Sequence, residues 1–283
     1  MPVSAGPVPK YVLSVNSSVV PITYTLCPHR HTIVYSTETM PSSMDVKIND
    51  VPVTVSRYPS LQDKIIMSTL VKDEDKYIIQ WIRYHQSLGV QHFIIYDNSE
   101  KPSASMEGLL DEYIRDGTVI LIHWPYKYRL PVSGISAQIT QQNHSIYAFR
   151  QAKYIGLLDI DEYVVALGSI EDVLDGMKME NIGGFQLGSR IFHNSQGLRE
   201  DGYEFLKITE CGDWVLNARQ KVFVLPLNVT IFSVHMILLG KPMYRPPPDK
   251  IHFNHYMFLN KPGRGRSPLP MHDDSLTSWS PEN

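Results

Sequence analysis

Cysteine is nearly absent. Cys27 and Cys211 are the only two in 283 residues, which excludes a disulfide framework and a cysteine-based zinc site and suits a reducing compartment. Long apolar runs are missing too. Nothing approaches the ~18–20 consecutive residues that cross a bilayer, and the start Met-Pro-Val-Ser-Ala-Gly-Pro carries no signal-peptide core. These absences predict a soluble, cytoplasmic protein without stable membrane insertion. An excess of one charge is likewise lacking: 26 Lys and Arg against 29 Asp and Glu leave a net charge of −3. Such a chain has no nucleic-acid footprint. No internal repeat is visible, and residues 65–80 hold none of the glycine-rich phosphate loop that a nucleotidyltransferase carries near its first strand.

The chain is 43% hydrophobic and 19% charged, enough to bury one large core or two smaller ones. Its character changes twice. Residues 11–15, 32–35 and 51–55 read as short strands separated by Pro, Ser and Asn turns, so 1–62 is expected to be a β-rich segment that braces the rest. Residues 63–259 form the main domain, and 260–283, opening Asn-Lys-Pro-Gly-Arg-Gly-Arg, read as a loose tail. His29 and His31 have no carboxylate nearby and read as ordinary polar residues. The glycosylation tripeptides at Asn16, Asn143 and Asn228 read as chance matches.

Within the main domain, strand and helix periods alternate. An apolar run at 65–71 is followed by Tyr77, Ile78, Trp81, Ile82, Tyr84, His85 and Leu88 at helical spacing, stopped by Gly89. Trp81 and Tyr84 are therefore core residues. A second strand at 92–96, a helix at 106–116 ending on Gly117, a third strand at 118–122 and a helix at 137–152 lead to a fourth strand ending at Asp159. The pattern predicts an α/β fold: a doubly wound, mostly parallel sheet with helices on both faces and ligands at the strand C-termini.

That fourth strand is the most telling segment. It reads Ile155-Gly156-Leu157-Leu158-Asp159-Ile160-Asp161-Glu162-Tyr163, and strand alternation would aim Asp159 and Asp161 the same way with Ile160 packed oppositely. Paired carboxylates at a strand end suit Mn²⁺ or Mg²⁺, whose shells are completed by water and substrate phosphates. By itself D-x-D fits a solvated acidic turn equally well.

The surrounding residues carry a resemblance. Lys72-Asp73-Glu74, Trp81-Ile82, Tyr84-His85, Leu88-Gly89-Val90, His92-Phe93-Ile94-Ile95-Tyr96-Asp97-Asn98-Ser99, Gln138, Lys153 and Asp159-Ile160-Asp161-Glu162-Tyr163 are similar to glycosyltransferase family 92 and related GT-A enzymes. Lys221 in its strand, the pair Val234-His235 and the pair His255-Tyr256 continue the likeness, so it covers roughly 65–258. Asp73 departs from it, since the family pattern has Asn there. The resemblance implies a GT-A fold and a metal-dependent, inverting transfer of galactose, xylose or a similar sugar from a UDP-sugar to a hydroxyl of a glycan acceptor. The compact form is also similar to the soluble glycan-extending transferases of large DNA viruses.

Site residues follow from the resemblance together with the loops. Asp159 and Asp161 are the expected metal ligands; one such carboxylate contacts ribose or binds through water in comparable enzymes, and a downstream His adds a ligand. His235 and His255 are the candidates, with His252 third. Lys72, Glu74, Asp97 and Asn98 lie in loops beyond the first two strands and are expected at the base and ribose. Lys153, Lys221 and the basic Arg129 and Arg150 are placed for phosphate or solvent. Trp214, in a polar turn, is a candidate to stack on a sugar. Inversion requires a general base, for which Asp213 ranks before Glu210 and Asp201. Two other classes remain: a haloacid-dehalogenase-type phosphatase, whose D-x-D would sit at the first strand and be followed by Thr or Val where Tyr163 stands, and a non-catalytic carbohydrate-binding protein.

Overall fold

The computed structural model describes residues 13–15, 18–20, 23–26, 33–36, 46–48, 50–52, 58–73, 75–130, 134–195, 197, 203–216, 219–256, 259 and 269–280. The chain divides into two compact units, Met1–Pro59 and Ser60–Asn283. Among the described residues no helix is long and apolar enough to cross a membrane.

The first unit is β-rich, as the Pro- and Ser-spaced apolar triplets predict. Leu13–Val15 lies between Ser18–Val20 and Val46–Ile48, and Val51–Pro52 completes a four-stranded antiparallel sheet. Thr23–Leu26 and Ile33–Ser36 form a separate hairpin. Residues 11, 12, 32 and 53–55 of the expected strands, with Asn16, Cys27, His29 and His31, lie outside the described residues.

In the second unit the chain runs β1 (Ile65–Val71), α1 (Asp75–Ser87), β2 (His92–Asp97), α2 (Ala104–Arg115), β3 (Val119–His123), α3 (Ser136–Ala148) and β4 (Tyr154–Leu157). β5 (Glu162–Ala166), α4 (Ile170–Gly176), β6 (Gly184–Leu187), β7 (Ser189–Ile191), β8 (Glu210–Cys211) and β9 (Lys221–Val224) follow. The hairpin β10 (Val229–Ser233) and β11 (Met236–Gly240) precedes β12 (Met243–Tyr244), β13 (Ile251–His255) and β14 (Met271–His272). Helix ends obey local rules. Ser103 Oγ caps α2 by accepting from Met106 N–H, and Gly89 and Gly117 follow α1 and α2 at φ +89° and +81°.

The main sheet has the order β12, β6, β9, β4, β1, β2, β3, with β4, β1, β2 and β3 parallel as expected. β1 and β4 are buried almost throughout, as apolar runs covered on both faces should be. The chain adds β2 and β3 on one side of β1 and then returns to place β4 on the other. That reversal leaves a crevice beyond the carboxyl ends of β1 and β4, where such sheets bind ligands. β9 runs antiparallel between β4 and β6, and Leu157 pairs with Val222. An antiparallel neighbour begins where β4 ends, so Lys221 is delivered to the same end of the sheet as Asp159.

A smaller sheet, β5, β13 and β7, continues from the crevice, with Glu162 directly opposite His255. Helix α1 locks β5 in place. Trp81 Nε1 donates to Glu162 O at 3.0 Å, Tyr84 Oη to Val164 O at 2.5 Å, and Val164 N–H to His85 Nε2 at 3.2 Å. The aromatic face expected to be core is thus also the clamp on the strand after the D-x-D turn.

Two expectations fail here. Residues 269–280 are not a loose tail: β14 pairs with β8, Asp273 bridges Arg190 at 2.7 Å, Leu276 is buried, and Trp279 Nε1 donates to Ser87 Oγ. The Pro and Gly composition of 261–270 hid the apolar and acidic anchors that follow it. β4 also ends at Leu157, so Asp159, Ile160 and Asp161 form a turn and not a strand end. The two carboxylates do not share a face by strand alternation, and they take different partners.

Candidate active site

Lys221 is the hub. Only 2% of its side chain is exposed, and Nζ lies 2.6 Å from Asp159 Oδ2 and 3.0 Å from Glu162 Oε2. Burial opposes the charge, but the two carboxylates outweigh it and raise the ammonium above its ordinary range. Asp159 is the most open of the acids at 38% exposure. Burial pushes its carboxyl up, yet Lys221 prevails and holds it below its usual value. Gln138 Nε2 donates to its Oδ1 at 2.9 Å. The turn is closed by Asp159 N–H donating to Glu162 Oε2 at 2.8 Å.

Behind Asp159 lies a buried group. Asp161, Glu162 and His255 offer ligand atoms that all fall within 4.8 Å of one another. His255 Nε2 is 3.1 Å from Asp161 Oδ2, and its Nδ1 is 3.8 Å from Glu162 Oε1. Burial would lower the imidazole, but Asp161 raises it on balance. Burial and the neighbouring Asp159 and Asp161 push Glu162 up to about 7, with Lys221 opposing. Asp161 Oδ1 is buried without a hydrogen-bond partner, a costly state for a carboxylate oxygen unless a cation takes it. Two carboxylates and an imidazole form a donor set suited to Mn²⁺. The residues therefore fit a divalent cation.

His235 stands apart from that trio. It follows Val234, a β-branched residue at φ +33° and so a strained turn position. Its Nδ1 lies 2.7 Å from Gln220 O, which fixes the proton on Nδ1 and leaves Nε2 as a lone-pair donor, the tautomer of a metal-ligating His. Burial and Lys221 lower its affinity for a proton, while Asp159 acts in the opposite sense. His252 is not part of the site. On β13 it points opposite to His255, its Nδ1 bonds Pro248 O, and its ring meets Trp214 edge-on.

Several expected nucleotide contacts have other work. Lys153 precedes β4, at the wrong end of the parallel strands, and pairs with Glu171 and Asp175 of α4 at 2.5 Å each. Arg150 donates to Val229 O and Leu227 O. Both correct the phosphate assignment: a lysine or arginine letter does not reveal which end of a strand it occupies. Asp97 accepts from Ser99 and Ser103 N–H groups, and Asn98 Nδ2 donates to Trp124 O and Tyr126 O. These two side chains hold the loops beyond β2 and β3. Lys72 is exposed after β1, and Glu74 lies outside the described residues. Of the other glycosylation tripeptides, Asn143 is buried with Nδ2 on Ile139 O and Phe232 O, and Asn228 Nδ2 bonds Ile182 O.

On the acceptor side, Asp213 is exposed and its Oδ1 accepts from Trp214 N–H. Arg190 lies over the Trp214 ring at 4.1 Å and covers one of its faces. Asp201 lies outside the described residues. Glu210 lines a polar cavity with His193, Asn194, Ser195, Lys207, Ile208 and Thr209, and accepts a hydrogen bond from Ser195 Oγ. The backbone beside that cavity is tied to the end of β13 and to β8: Phe192 N–H donates to His255 O and His193 N–H to Glu210 O. Sequence reasoning missed Glu162 as a candidate ligand, because alternation would turn it away from Asp161, and it gave Gln138 no role. Their signals were the third acid after D-x-D and an amide within the helix before β4.

The sequence model of glycosyltransferase family 92 matches residues 66–279. A glycosyltransferase family 92 protein of Ricinus communis is 29% identical over 97 residues, covering 34% of this chain and 15% of that protein. A second alignment to a protein of that description is 22% identical over 103 residues, covering 35% and 17%. The matched stretches thus span well under two thirds of the relative. Among solved structures, S. aureus TarS residues 1–349 aligns at 11% identity over 68% of this chain and 60% of that one, with a TM-score of 0.37. A mannosyltransferase from Pyrobaculum calidifontis, in complex with GDP-Man and Mn²⁺, aligns at 10% identity over 74% and 61%, with a TM-score of 0.43. Those superpositions are too loose to transfer residues. The family match, which runs through β1, the D-x-D turn, Lys221 and His255 to Trp279, covers most of the sequence, and the chain belongs to glycosyltransferase family 92.

Proposed function

We propose that the protein is a divalent-cation-dependent, inverting glycosyltransferase that moves a sugar such as galactose or xylose from a UDP-sugar to a hydroxyl of a glycan acceptor. The observation that carries this reading is the orphaned Asp161 Oδ1 among Glu162 and His255, beside the open Asp159 at the switch point of the sheet. Asp161, Glu162 and His255 would hold the cation, with His235 Nε2 and Asp159 as further donors. A cation held there would supply Lewis-acid stabilisation of the negative charge that develops on a diphosphate leaving group. Lys221 holds Asp159 ionised and ties both Asp159 and Glu162 in place, and Gln138 orients Asp159. The uridine assignment rests on the family resemblance of residues 72–99 and 153–163.

For the base that takes the acceptor proton, Glu210 now ranks ahead of Asp213. Glu210 lines a cavity beside Phe192, whose N–H is bonded to His255 O, whereas Asp213 is exposed and caps its own turn. Ser195 Oγ donating to Glu210 would leave the second oxygen for the acceptor hydroxyl.

The test is incubation with a panel of UDP-sugars, Mn²⁺ and glycan acceptors, followed by NMR of the product. Metal-dependent release of UDP with inverted anomeric configuration supports the reading. Retention would overturn the inverting mechanism. Phosphate release from simple monoesters, without any nucleotide-sugar turnover, would overturn the function in favour of a phosphatase.

A further inference from the structure

The hairpin of β10 and β11 turns on Val234 and His235 alone, since Ser233 pairs with Met236. Two-residue turns of this kind need positive φ at their first position, which Asn and Gly supply. This chain has Val there, a β-branched residue at φ +33°. His235 N–H donates to Ser233 O across the tight bend. Such a conformation persists only where its surroundings over-determine it.

Three buried amides, Gln142, Asn143 and Gln186, grip this turn from outside the hairpin. Asn143 Nδ2 donates to Phe232 O at 2.8 Å, and its Oδ1 accepts from Phe232 N–H at 3.0 Å. The side chain thus pairs with the edge of β10 as a neighbouring strand would. Gln142 Nε2 donates to Val234 O at 3.4 Å, and Gln186 Nε2 to His235 O at 3.0 Å. Gln142 keeps its bond although its own Oε1 is buried without a partner. On the same helix, one turn before Gln142, Gln138 donates to Asp159 Oδ1. Helix α3 therefore holds the D-x-D turn and the His235 turn together.

We propose that Asn143, Gln142 and Gln186 are positioning residues, which hold the strained Val234–His235 turn so that His235 Nε2 can serve as a donor to the cation. The proposal rests on the cation reading above and names what fixes one of its donors. The imidazole itself is oriented by Gln220 O at Nδ1, so the amides act on the backbone that carries the ring. A hairpin kept for stability alone would relax with Gly or Asn at 234. Retaining Val at positive φ and binding both carbonyls of the bend ties the strain to the place where His235 stands.

The experiment is calorimetric titration of the whole chain with Mn²⁺ alone, without nucleotide, on Asn143→Ala, His235→Ala and the two combined. Asn143→Ala should weaken Mn²⁺ about fivefold, as when the competent turn is populated about a fifth of the time. His235→Ala should weaken it at least as much. In the His235→Ala background Asn143→Ala should add nothing, the non-additivity of residues that act through one group. Adding Val234→Gly to Asn143→Ala should recover most of the lost affinity, because Gly adopts positive φ without steric cost. If Asn143→Ala melts early, Gln186→Met, which keeps the volume and loses the bond to His235 O, replaces it in the same cycle. Equal weakening in both backgrounds, or no recovery with Val234→Gly, would overturn the proposal. Unchanged Mn²⁺ affinity in Asn143→Ala and Gln186→Met, or in His235→Ala, would overturn it and spare Asp161, Glu162 and His255 as the cation site. Absence of Mn²⁺ binding in the wild type would overturn both.

Discussion

Lys221 Nζ approaches Asp159 Oδ2 to 2.6 Å because β9, antiparallel to its neighbour, begins where β4 ends. The same ammonium reaches Glu162, so a single buried cation compensates two acids of the turn. Its removal leaves Glu162 buried without its counter-charge.

Lys221→Met should therefore destabilise the second unit by ~3–5 kcal/mol, the range for breaking a buried ion pair from one side. Urea denaturation measures it. A change below ~1 kcal/mol would show that the pair carries no structural load. Excess Mn²⁺ should restore part of the loss, because a ligand that binds only the folded chain stabilises it by mass action.

Asp161→Asn and Asp159→Ala should each reduce sugar transfer at least ~100-fold, about 2.7 kcal/mol of barrier, and EDTA should do the same to the wild type. Asp161 is the sharper test, since Asn keeps its shape while removing the negative charge and one of the two acceptor oxygens. Transfer within about tenfold of wild type for Asp161→Asn would remove the metal assignment.

Titrating activity against Mn²⁺ separates the two histidines. His255→Ala should raise the Mn²⁺ requirement by ~10–100-fold, as loss of a ligand or its close support does. His235→Ala should produce a smaller rise, its Nε2 being linked to Asp159 through charge and not through the buried trio. Equal dependence in both variants and the wild type would return them to structural roles.

Stability should fall in acid through His85, away from the active site. Its Nδ1 lies 2.8 Å from Trp81 O and its Nε2 accepts from Val164 N–H, an arrangement open only to the neutral ring. Burial holds it down to about 3, against an ordinary 6.5. Between those values the unfolded chain binds the extra proton, so this contribution is full above pH 6.5 and is lost as pH drops toward 3, by at most ~1.4 kcal/mol per unit. Glu162, pushed up to about 7 from 4.5, acts with the opposite sign and disfavours folding as pH rises through that window. The difference between wild type and His85→Phe, measured by denaturation from pH 3 to 7, isolates the histidine. Parallel curves would refute its burial as a neutral ring.

Much of the fold was legible because its determinants are local. The apolar runs at 65–71 and 92–96, the helical spacing of Trp81 and Tyr84, and Gly89 and Gly117 after helices each report on neighbours in sequence. Asp159, Asp161 and His255 were likewise within reach of spacing and resemblance. The rest depended on tertiary facts. Nothing local says that β4 stops at Leu157, that Lys153 faces α4, or that Asp97 and Asn98 turn their polar atoms onto backbone loops. Glu162 was hidden by its own strand, whose period of two argues against the face that the preceding turn gives it.

The pairing of Glu162 with His255 across β5 and β13 has a bearing on how the chain acquires its chemistry. Contacts between residues so far apart in sequence close a long loop and form late in folding. A nascent chain can complete β1 to β4 while still lacking the imidazole that Asp161 requires. The group of Asp161, Glu162 and His255 should therefore come together abruptly once β13 has left the ribosome and docked, only after the main parallel sheet has been assembled.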